Sequence, residues 1–332
     1  MIKKIVLIML LSILICMAVI GARIAQLIYK PVSITHTLCE IRSGDTGRTI
    51  ANTLYEHNVI RNRALFHLLI RLKDLDRDLK AGHYLFTGEL NMFEVLEKIV
   101  SGEILVERIT IPEGFSIYRT FRTITNRGIG DYNRFLELAN NSEFASSITG
   151  FNIVSIEGFL YPDTYIFGHD MSEEAILRTM VRNFFNRMNI AHICLEDHEQ
   201  FYRDLVLASI VEREAIFNDE MPLIAGVFQN RLRRGMRLQA DPTVVYHLER
   251  EFIHRRIVTY ADLRVNTPHN TYIIPGLPPY PICSPSSAAI FAVLNPDPSE
   301  YLFFFARRGR HIFTKTFQEH MRLQRETRVV DN

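Results

Sequence analysis

The amino end of the chain is a hydrophobic run. Residues 5–22 carry no charge, and they lie between the pair Lys3 and Lys4 and the single Arg23. This length just reaches the ~18–20 residues that a helix needs to cross a bilayer, so the pattern predicts a single transmembrane anchor. A cleaved signal peptide is the alternative, because small residues precede Arg23. The two lysines favour a cytoplasmic amino end, which puts the rest of the chain on the other side of the membrane.

The next segment alternates between strand-like and helix-like patterns. From Ile41 the sequence predicts a short strand, a turn at residues 43–45, and a helix with Ile50 and Leu54 on one stripe. A second helix over 64–72 and a strand over 83–86 follow. This βααβ order resembles a LysM-like glycan-binding module, and the alternative is a small α+β packing domain without a ligand. A helix over 91–100 follows.

Helical periodicity dominates the remainder of the chain. Helices are predicted over about 173–190, 197–214 and 221–234, after a strand at 104–111. Residues 266–285 contain six prolines among apolar and aromatic residues, which predicts a long ordered loop. A β pattern closes the chain at 301–305 and 311–314. The sequence therefore predicts an α+β protein with an anchor (1–30), a LysM-like subdomain (31–110), and a mainly helical domain with a small β portion (111–332).

Composition excludes several classes of function. The 332 residues are 47% hydrophobic and 23% charged, which is typical of folded domains. The net charge of +1 argues against a nucleic-acid partner, because phosphate binding depends on a large basic excess. The four cysteines, Cys16, Cys39, Cys194 and Cys283, form no C-x-x-C pair, so neither a metal site nor a redox cofactor is expected.

A glutamate at the end of an apolar helical stripe is the strongest candidate for chemistry. On a helical wheel, Glu214 falls within ~60° of Leu207, Ile210 and Val211, whereas Glu212 points to the opposite side. A carboxyl group among aliphatic side chains has a raised pKa and can act as a general acid near neutral pH. The alternative is a structural role, in which one of these glutamates is paired with Arg213 or Arg231.

A second acidic candidate follows at Asp241. The order Asp241-Pro242 predicts an N-cap residue with proline at the first helical position, so Asp241 could be purely structural. Its functional interpretation is a position in the cleft beside Glu214.

Several motifs, taken together and in order, resemble the YceG-like family of endolytic murein transglycosylases. Besides the anchor and the LysM-like segment, they are residues 157–165 (EGFLYPDTY), 207–214 (LASIVERE), 230–232 (NRL), 235–239 (GMRLQ), 241–243 (DPT), 270–272 (NTY) and 276–279 (GLPP). The resemblance covers essentially the whole chain. Two positions depart from the family pattern, His269 where tyrosine is common and Tyr280 where glycine often follows the prolines. Both lie in the proline-rich loop, where they affect the expected detail of the binding subsites.

The resemblance implies a lytic transglycosylase, a lyase active in cell wall biogenesis. It would cleave the β-1,4 bond between N-acetylmuramic acid and N-acetylglucosamine in nascent peptidoglycan and leave a 1,6-anhydro end. The family's catalytic glutamate falls on Glu214, which would act first as general acid and then as general base. Implied substrate-binding residues are Glu157, Gln239, Asp241, Thr243, Asn270, Thr271 and Tyr272. The implied partners are glycan strands and, at the membrane, peptidoglycan synthases.

Two other classes of function stay open at this level. One is a glycoside hydrolase in which Glu157 or Asp241 joins Glu214 as a second carboxylate. The other is a non-catalytic scaffold that binds peptidoglycan through the LysM-like segment.

Overall fold

The structure is a computed structural model that describes residues 2–193, 197–251 and 258–330. It contains both helices and strands, as predicted. The chain begins with a single helix, α1 (Ile2–Tyr29). Within it, Met9–Tyr29 is long and apolar enough to cross a membrane by length and composition. The predicted apolar helix is therefore confirmed, and retention or cleavage of this segment stays a prediction.

The chain divides into two compact units, Met1–Glu107 with Gly168–Asp170, and Arg108–Phe167 with Met171–Asn332. Each has its own hydrophobic core. The three-part domain division stays a prediction. Cys194, one of the cysteines considered above, lies outside the described residues.

The first unit contains the predicted βααβ order. Strand β1 (Val32–Ile41) is followed by α2 (Gly47–Glu56), α3 (Arg63–Leu72), β2 (Gly82–Leu90) and α4 (Met92–Ser101). Strands β1 and β2 pair antiparallel, with Ile41 opposite Gly82 and Val32 opposite Leu90. Likeness to a LysM module and glycan binding stay predictions.

The first strand differs from its prediction, since it ends at Ile41 rather than starting there. A bulge interrupts the pairing between Ile34 and Thr37, and His36 inside it has a left-handed φ of 40°. A bulge inserts an extra residue and so breaks the period-two alternation by which a strand is detected.

The second unit is mainly helical. Its helices are α5 (Ile117–Thr125), α6 (Tyr132–Ala139), α7 (Ser142–Thr149), α8 (Glu173–Ile190), α9 (His198–Glu214), α10 (Met221–Arg233), α11 (Asp241–Arg250), α12 (Ser287–Leu294) and α13 (Phe317–Val330). The predicted bounds of α8, α9 and α10 agree with these to within one residue. The remaining strands among the described residues form two two-stranded sheets, β3 (Val106–Thr110) with β4 (Thr164–Gly168) and β5 (Phe303–Arg307) with β6 (Arg310–Thr314).

Helix α9 lies at the centre of this unit. The Asp197 side chain caps its amino end by accepting a hydrogen bond from Gln200 N at 2.9 Å. Every residue from Leu205 to Val211 is buried, so this part of the helix packs on all sides. Residues 266–285 contain no helix or strand and run beside this core as the predicted loop.

Candidate active site

Three consecutive residues at the end of α9 point to three different places. Glu212 accepts two hydrogen bonds from Ser286, from its N–H at 2.9 Å and from its hydroxyl at 2.6 Å. Arg213 forms an ion pair with Glu249, with 2.7 Å between Nη2 and Oε1. Glu214, the last helical residue, lines a cleft. Successive side chains on a helix are about 100° apart, so three consecutive residues can contact three different parts of the unit.

The cleft beside Glu214 has a volume of about 360 Å³. Its wall combines charged, amide and aromatic side chains. They are Glu214, Phe228, Arg231, Leu238, Gln239, Asp241, Tyr272, Phe304, Phe305, Ala306, His311 and Gln324. A concave site with a few polar groups among apolar and aromatic ones is the usual form of a ligand-binding site.

Burial raises the pKa of Glu214 to about 8, and the negative charge of Asp241 adds to the effect. The Arg231 guanidinium, the backbone N–H of Asp241 and the Arg213 guanidinium act in the opposite direction. The carboxyl end of a helix also carries a partial negative charge, which disfavours the ionised form of a carboxyl group there. Glu214 is therefore mostly protonated at neutral pH.

The arginines do not neutralise this carboxyl group by direct pairing. Among the described residues, Glu214 forms no ion pair with Arg213 or Arg231. Arg213 is committed to Glu249, and Arg231 donates to two backbone carbonyls, Leu302 O at 2.7 Å and Leu238 O at 2.6 Å. The salt-bridge alternative is thus wrong for Glu214, because both candidate partners are engaged elsewhere.

Three of the predicted substrate-binding residues share the cleft with Glu214, namely Gln239, Asp241 and Tyr272. The Tyr272 hydroxyl donates a 2.6 Å hydrogen bond to Asp241 Oδ1. Gln239 is exposed and has a φ of 51°, a left-handed conformation that costs a non-glycine residue about 1 kcal/mol or more. The backbone therefore holds a strained residue in the wall of the cleft.

Asp241 does not cap α11 as predicted. It is the first helical residue, and the cap position belongs to Ala240, which supplies no side-chain hydrogen bond to the free N–H groups. The Asp241 carboxylate instead accepts from Tyr272, a residue of the proline-rich loop that the local sequence could not place beside it.

The other four predicted substrate-binding residues are buried and do not line this cleft: Glu157, Thr243, Asn270 and Thr271. The hydroxyls of Thr243 and Thr271 lie 2.9 Å apart, and Thr271 Oγ1 accepts from Ala240 N at 2.9 Å. The Asn270 amide donates to the carbonyls of Leu263 and Val265. The threonine contacts attach the proline-rich loop to the start of α11, and the Asn270 contacts attach it to the segment just before the loop.

Glu157 lies at the amino end of α5. Its carboxylate accepts from Ile117 N, with Oε2 at 3.0 Å, and burial raises its pKa to about 8. Among the described residues no cation pairs with this carboxylate within 4 Å, and the nearby charge of Glu249 raises its pKa further. Glu157 therefore sits as a buried acid in the core of the unit.

The two departures from the family pattern contact each other. The rings of His269 and Tyr280 lie 4.3 Å apart at 66°, and both pack against Tyr246. Burial lowers the pKa of His269 to about 4, so the ring is neutral. At position 269 the imidazole is smaller than the tyrosine ring that is common there, and at position 280 a tyrosine ring stands where glycine is frequent. Neither residue lines the Glu214 cleft.

One wall of the cleft was not foreseen. It comes from the β5–β6 hairpin, which contributes Phe304, Phe305, Ala306 and His311. These residues lie about 90 positions after Glu214 in the sequence, and no local pattern links the two segments.

These features define a protein of mixed helices and strands in which a glutamate with a raised pKa lines a cleft of polar and aromatic side chains. The YceG-like family model matches residues 39–326, and the chain belongs to this family. The family expectation drawn from the motifs is therefore confirmed.

Named relatives point to one activity. The chain is 30% identical over 299 residues to an endolytic murein transglycosylase of Bacillus subtilis, covering 84% of this chain and 81% of that protein. It is 25% identical over 313 residues to one of Streptococcus pneumoniae, covering 85% of this chain and 56% of the longer relative. A crystal structure of a YceG-like protein from Listeria monocytogenes superposes with a TM-score of 0.59 at 32% identity, covering 87% of this chain and 98% of that one.

Proposed function

We propose that this chain is an endolytic murein transglycosylase, with Glu214 as its catalytic acid and base. The observation that carries the proposal is the Glu214 carboxyl group, which lines an open cleft and has a pKa raised to about 8. A free glutamate would be only ~0.2% protonated at pH 7, whereas a group with a pKa of 8 is about 90% protonated. The site thus supplies an acid under conditions where glutamate is ordinarily a base.

The reaction needs no second carboxylate. Protonated Glu214 would donate its proton to the oxygen of the bond between N-acetylmuramic acid and N-acetylglucosamine, and positive charge would develop at the muramic C1. The C6 hydroxyl of the same sugar would then attack C1 to close the anhydro ring, giving its proton to the Glu214 carboxylate. Because this attack is intramolecular, it has a large effective concentration over water.

The remaining predicted residues divide into two groups. Gln239, Asp241 and Tyr272 would contact the glycan, since they share the cleft with Glu214. The buried positions of the other four residues favour a supporting role, so we assign them to the structure behind the cleft rather than to glycan contact: Glu157, Thr243, Asn270 and Thr271. The first unit would bind glycan without performing chemistry, and α1 would hold the enzyme at the outer face of the inner membrane, near peptidoglycan synthases.

The test is the product formed by two matched variants. Glu214→Gln keeps the side-chain volume but cannot transfer a proton, so release of anhydro-terminated fragments from sacculi should fall by at least ~10²-fold. Glu212→Gln makes the same change two residues earlier, where the amide oxygen can still accept from Ser286, and activity should stay near wild type. Mass spectrometry separates the classes, because an anhydro end is about 18 Da, one water, lighter than a hydrolytic end.

Three results would contradict the proposal. Anhydro products from a folded Glu214→Gln variant would show that another residue is the acid. Products heavier by one water would favour the two-carboxylate hydrolase, with Asp241 as the nearby second group. Glycan binding with no cleavage by the wild-type protein would favour the scaffold.

A further inference from the structure

A buried carboxylate–histidine pair lies at the edge of the Glu214 cleft. Glu220, at the start of α10, and His311, in β6, have side chains that are each 5% exposed. The Glu220 carboxylate uses both oxygens on this residue, accepting from His311 N at 3.0 Å and contacting His311 Nδ1 at 2.8 Å. The next charged group, Arg310, has Nη1 3.8 Å from Glu220 Oε1.

This contact determines which ring nitrogen carries the proton. An ionised carboxylate can only accept a hydrogen bond, so Nδ1 must be the donor. In the neutral ring Nε2 then keeps its lone pair and can act only as an acceptor. Among the described residues Nε2 has no hydrogen-bond partner, although His311 lines the cleft.

The ring is held rigidly in this orientation. Phe304, which also lines the cleft, packs perpendicular to the imidazole with ring centroids 5.3 Å apart. Phe313 also packs against the imidazole, with ring centroids 6.3 Å apart, and it contacts Phe304 at 5.9 Å. An imidazole fixed by a carboxylate behind it and by aromatic rings beside it is preorganised for a ligand in front.

We propose that His311 touches the glycan in the cleft, where Nε2 accepts a hydrogen bond from a sugar hydroxyl, and that Glu220 is a positioning residue that sets the tautomer. The inference rests on the proposed function for the nature of the ligand. A hydroxyl is the group that fits, because it donates to a neutral acceptor and sugars carry several of them. If the Glu220–His311 pair only linked the start of α10 to β6, the hydrogen bond from Nδ1 would be sufficient. Nε2 would then have no function as an acceptor.

Substitutions of His311 separate contact with substrate from a structural role. In His311→Asn the side-chain amide can still donate to Glu220 but does not reach the Nε2 position, whereas in His311→Gln the amide reaches that position and loses the bond to Glu220. We expect the Asn variant to fold like wild type and to lose about tenfold or more in kcat/KM, the effect of one hydrogen bond. The Gln variant should keep more activity per folded molecule. A purely structural pair predicts a fully active Asn variant.

Glu220→Gln gives a direct spectroscopic test. Its amide oxygen would still accept from His311 N, which turns its NH₂ group towards Nδ1 and forces the proton onto Nε2. Nitrogen-15 NMR of the full-length protein should show the Nδ1–H tautomer in wild type and the Nε2–H tautomer in this variant, together with a loss of activity like that of His311→Asn. Asp219→Asn is the control, because Asp219 pairs with the exposed Arg310 and does not contact His311. It should change neither the tautomer nor the rate.

Binding to the inactive Glu214→Gln protein completes the test. Uncrosslinked glycan strands at saturation should move the His311 Nε2 resonance and leave the Nδ1–H in place. An Nε2–H tautomer in wild type, or an unmoved Nε2 resonance with bound glycan, would overturn the proposal for His311 and leave the role of Glu214 intact. Failure of the proposed function is distinguished from this, because it would appear as wild-type protein that makes no anhydro product.

Discussion

The charge of Asp241 should set the alkaline limit of catalysis. Because this charge helps to raise the pKa of Glu214, Asp241→Asn should lower that pKa. A nearby like charge shifts a pKa by about one to three units in general. Asp241 is exposed, so solvent screens its charge, and we take the lower end, about one unit or ~1.4 kcal/mol.

The lower pKa of Glu214 should reduce the activity at alkaline pH and leave the activity at acidic pH unchanged. If the pKa of Glu214 moves from about 8 to about 7, the protonated fraction at pH 8 falls from one half to ~9%, whereas at pH 6 it stays above ~90%. The variant should therefore lose about fivefold in activity at pH 8 beyond any loss common to all pH values. The assay is kcat/KM for anhydro-product release between pH 5 and 9, which reports the free enzyme.

Tyr272→Phe is the control for this experiment, since it removes the 2.6 Å hydrogen bond to Asp241 and keeps the charge. Its alkaline limb should not move to lower pH. If Asp241→Asn folds normally and its alkaline limb coincides with that of wild type, then either Glu214 is not the titrating acid or Asp241 does not control it.

Other measurements test the remaining parts of the structure. Burial raises the pKa of folded Glu157 to about 8, so its contribution to stability is full below about pH 4 and is lost as pH rises towards 8. Glu157→Gln should flatten this pH dependence of the unfolding free energy, measured by urea unfolding. The same pH dependence in both proteins would contradict the burial of Glu157 as a neutral acid. Glu249→Ala leaves the largely buried Arg213 without its ion-pair partner and should lower the unfolding free energy by about 3 kcal/mol. Glu300→Ala is the control, because it breaks an exposed pair with Lys315 and should cost less than ~1 kcal/mol. Thermal unfolding of both variants measures the difference. If α1 is retained, the mature protein should fractionate with membranes and keep residues before Arg23; a soluble chain that begins near Arg23 would show cleavage instead.

Local patterns predicted the parts of the fold that are locally determined. The bounds of α8 and α9 follow from a continuous 3.6-residue periodicity with a side-chain cap, and Glu214 stood out because it continues an apolar stripe. Strand β1 was misplaced because one bulged residue, His36, breaks its alternation.

The rest of the site depends on contacts between distant segments. The partner of Asp241 is 31 positions away at Tyr272, and the partner of Glu220 is 91 positions away at His311. Pairing over such separations is decided by packing of the whole unit, and a single sequence carries no periodic signal for it. The same reason explains why Glu157 could not be recognised as a buried acid, because its backbone partner Ile117 lies 40 positions away.

The end of α9 has a consequence for how this site tolerates changes in chain length. Residues 212–214 reach Ser286, Glu249 and the cleft from three successive angles on one helix. Deleting a single residue earlier in α9 would rotate everything after it by about 100° and move it ~1.5 Å along the axis. All three attachments would then fail together, although no one of them had been mutated. The spacing within this helix is therefore as much a part of the site as the identity of Glu214, and insertions or deletions should be confined to the connecting loops.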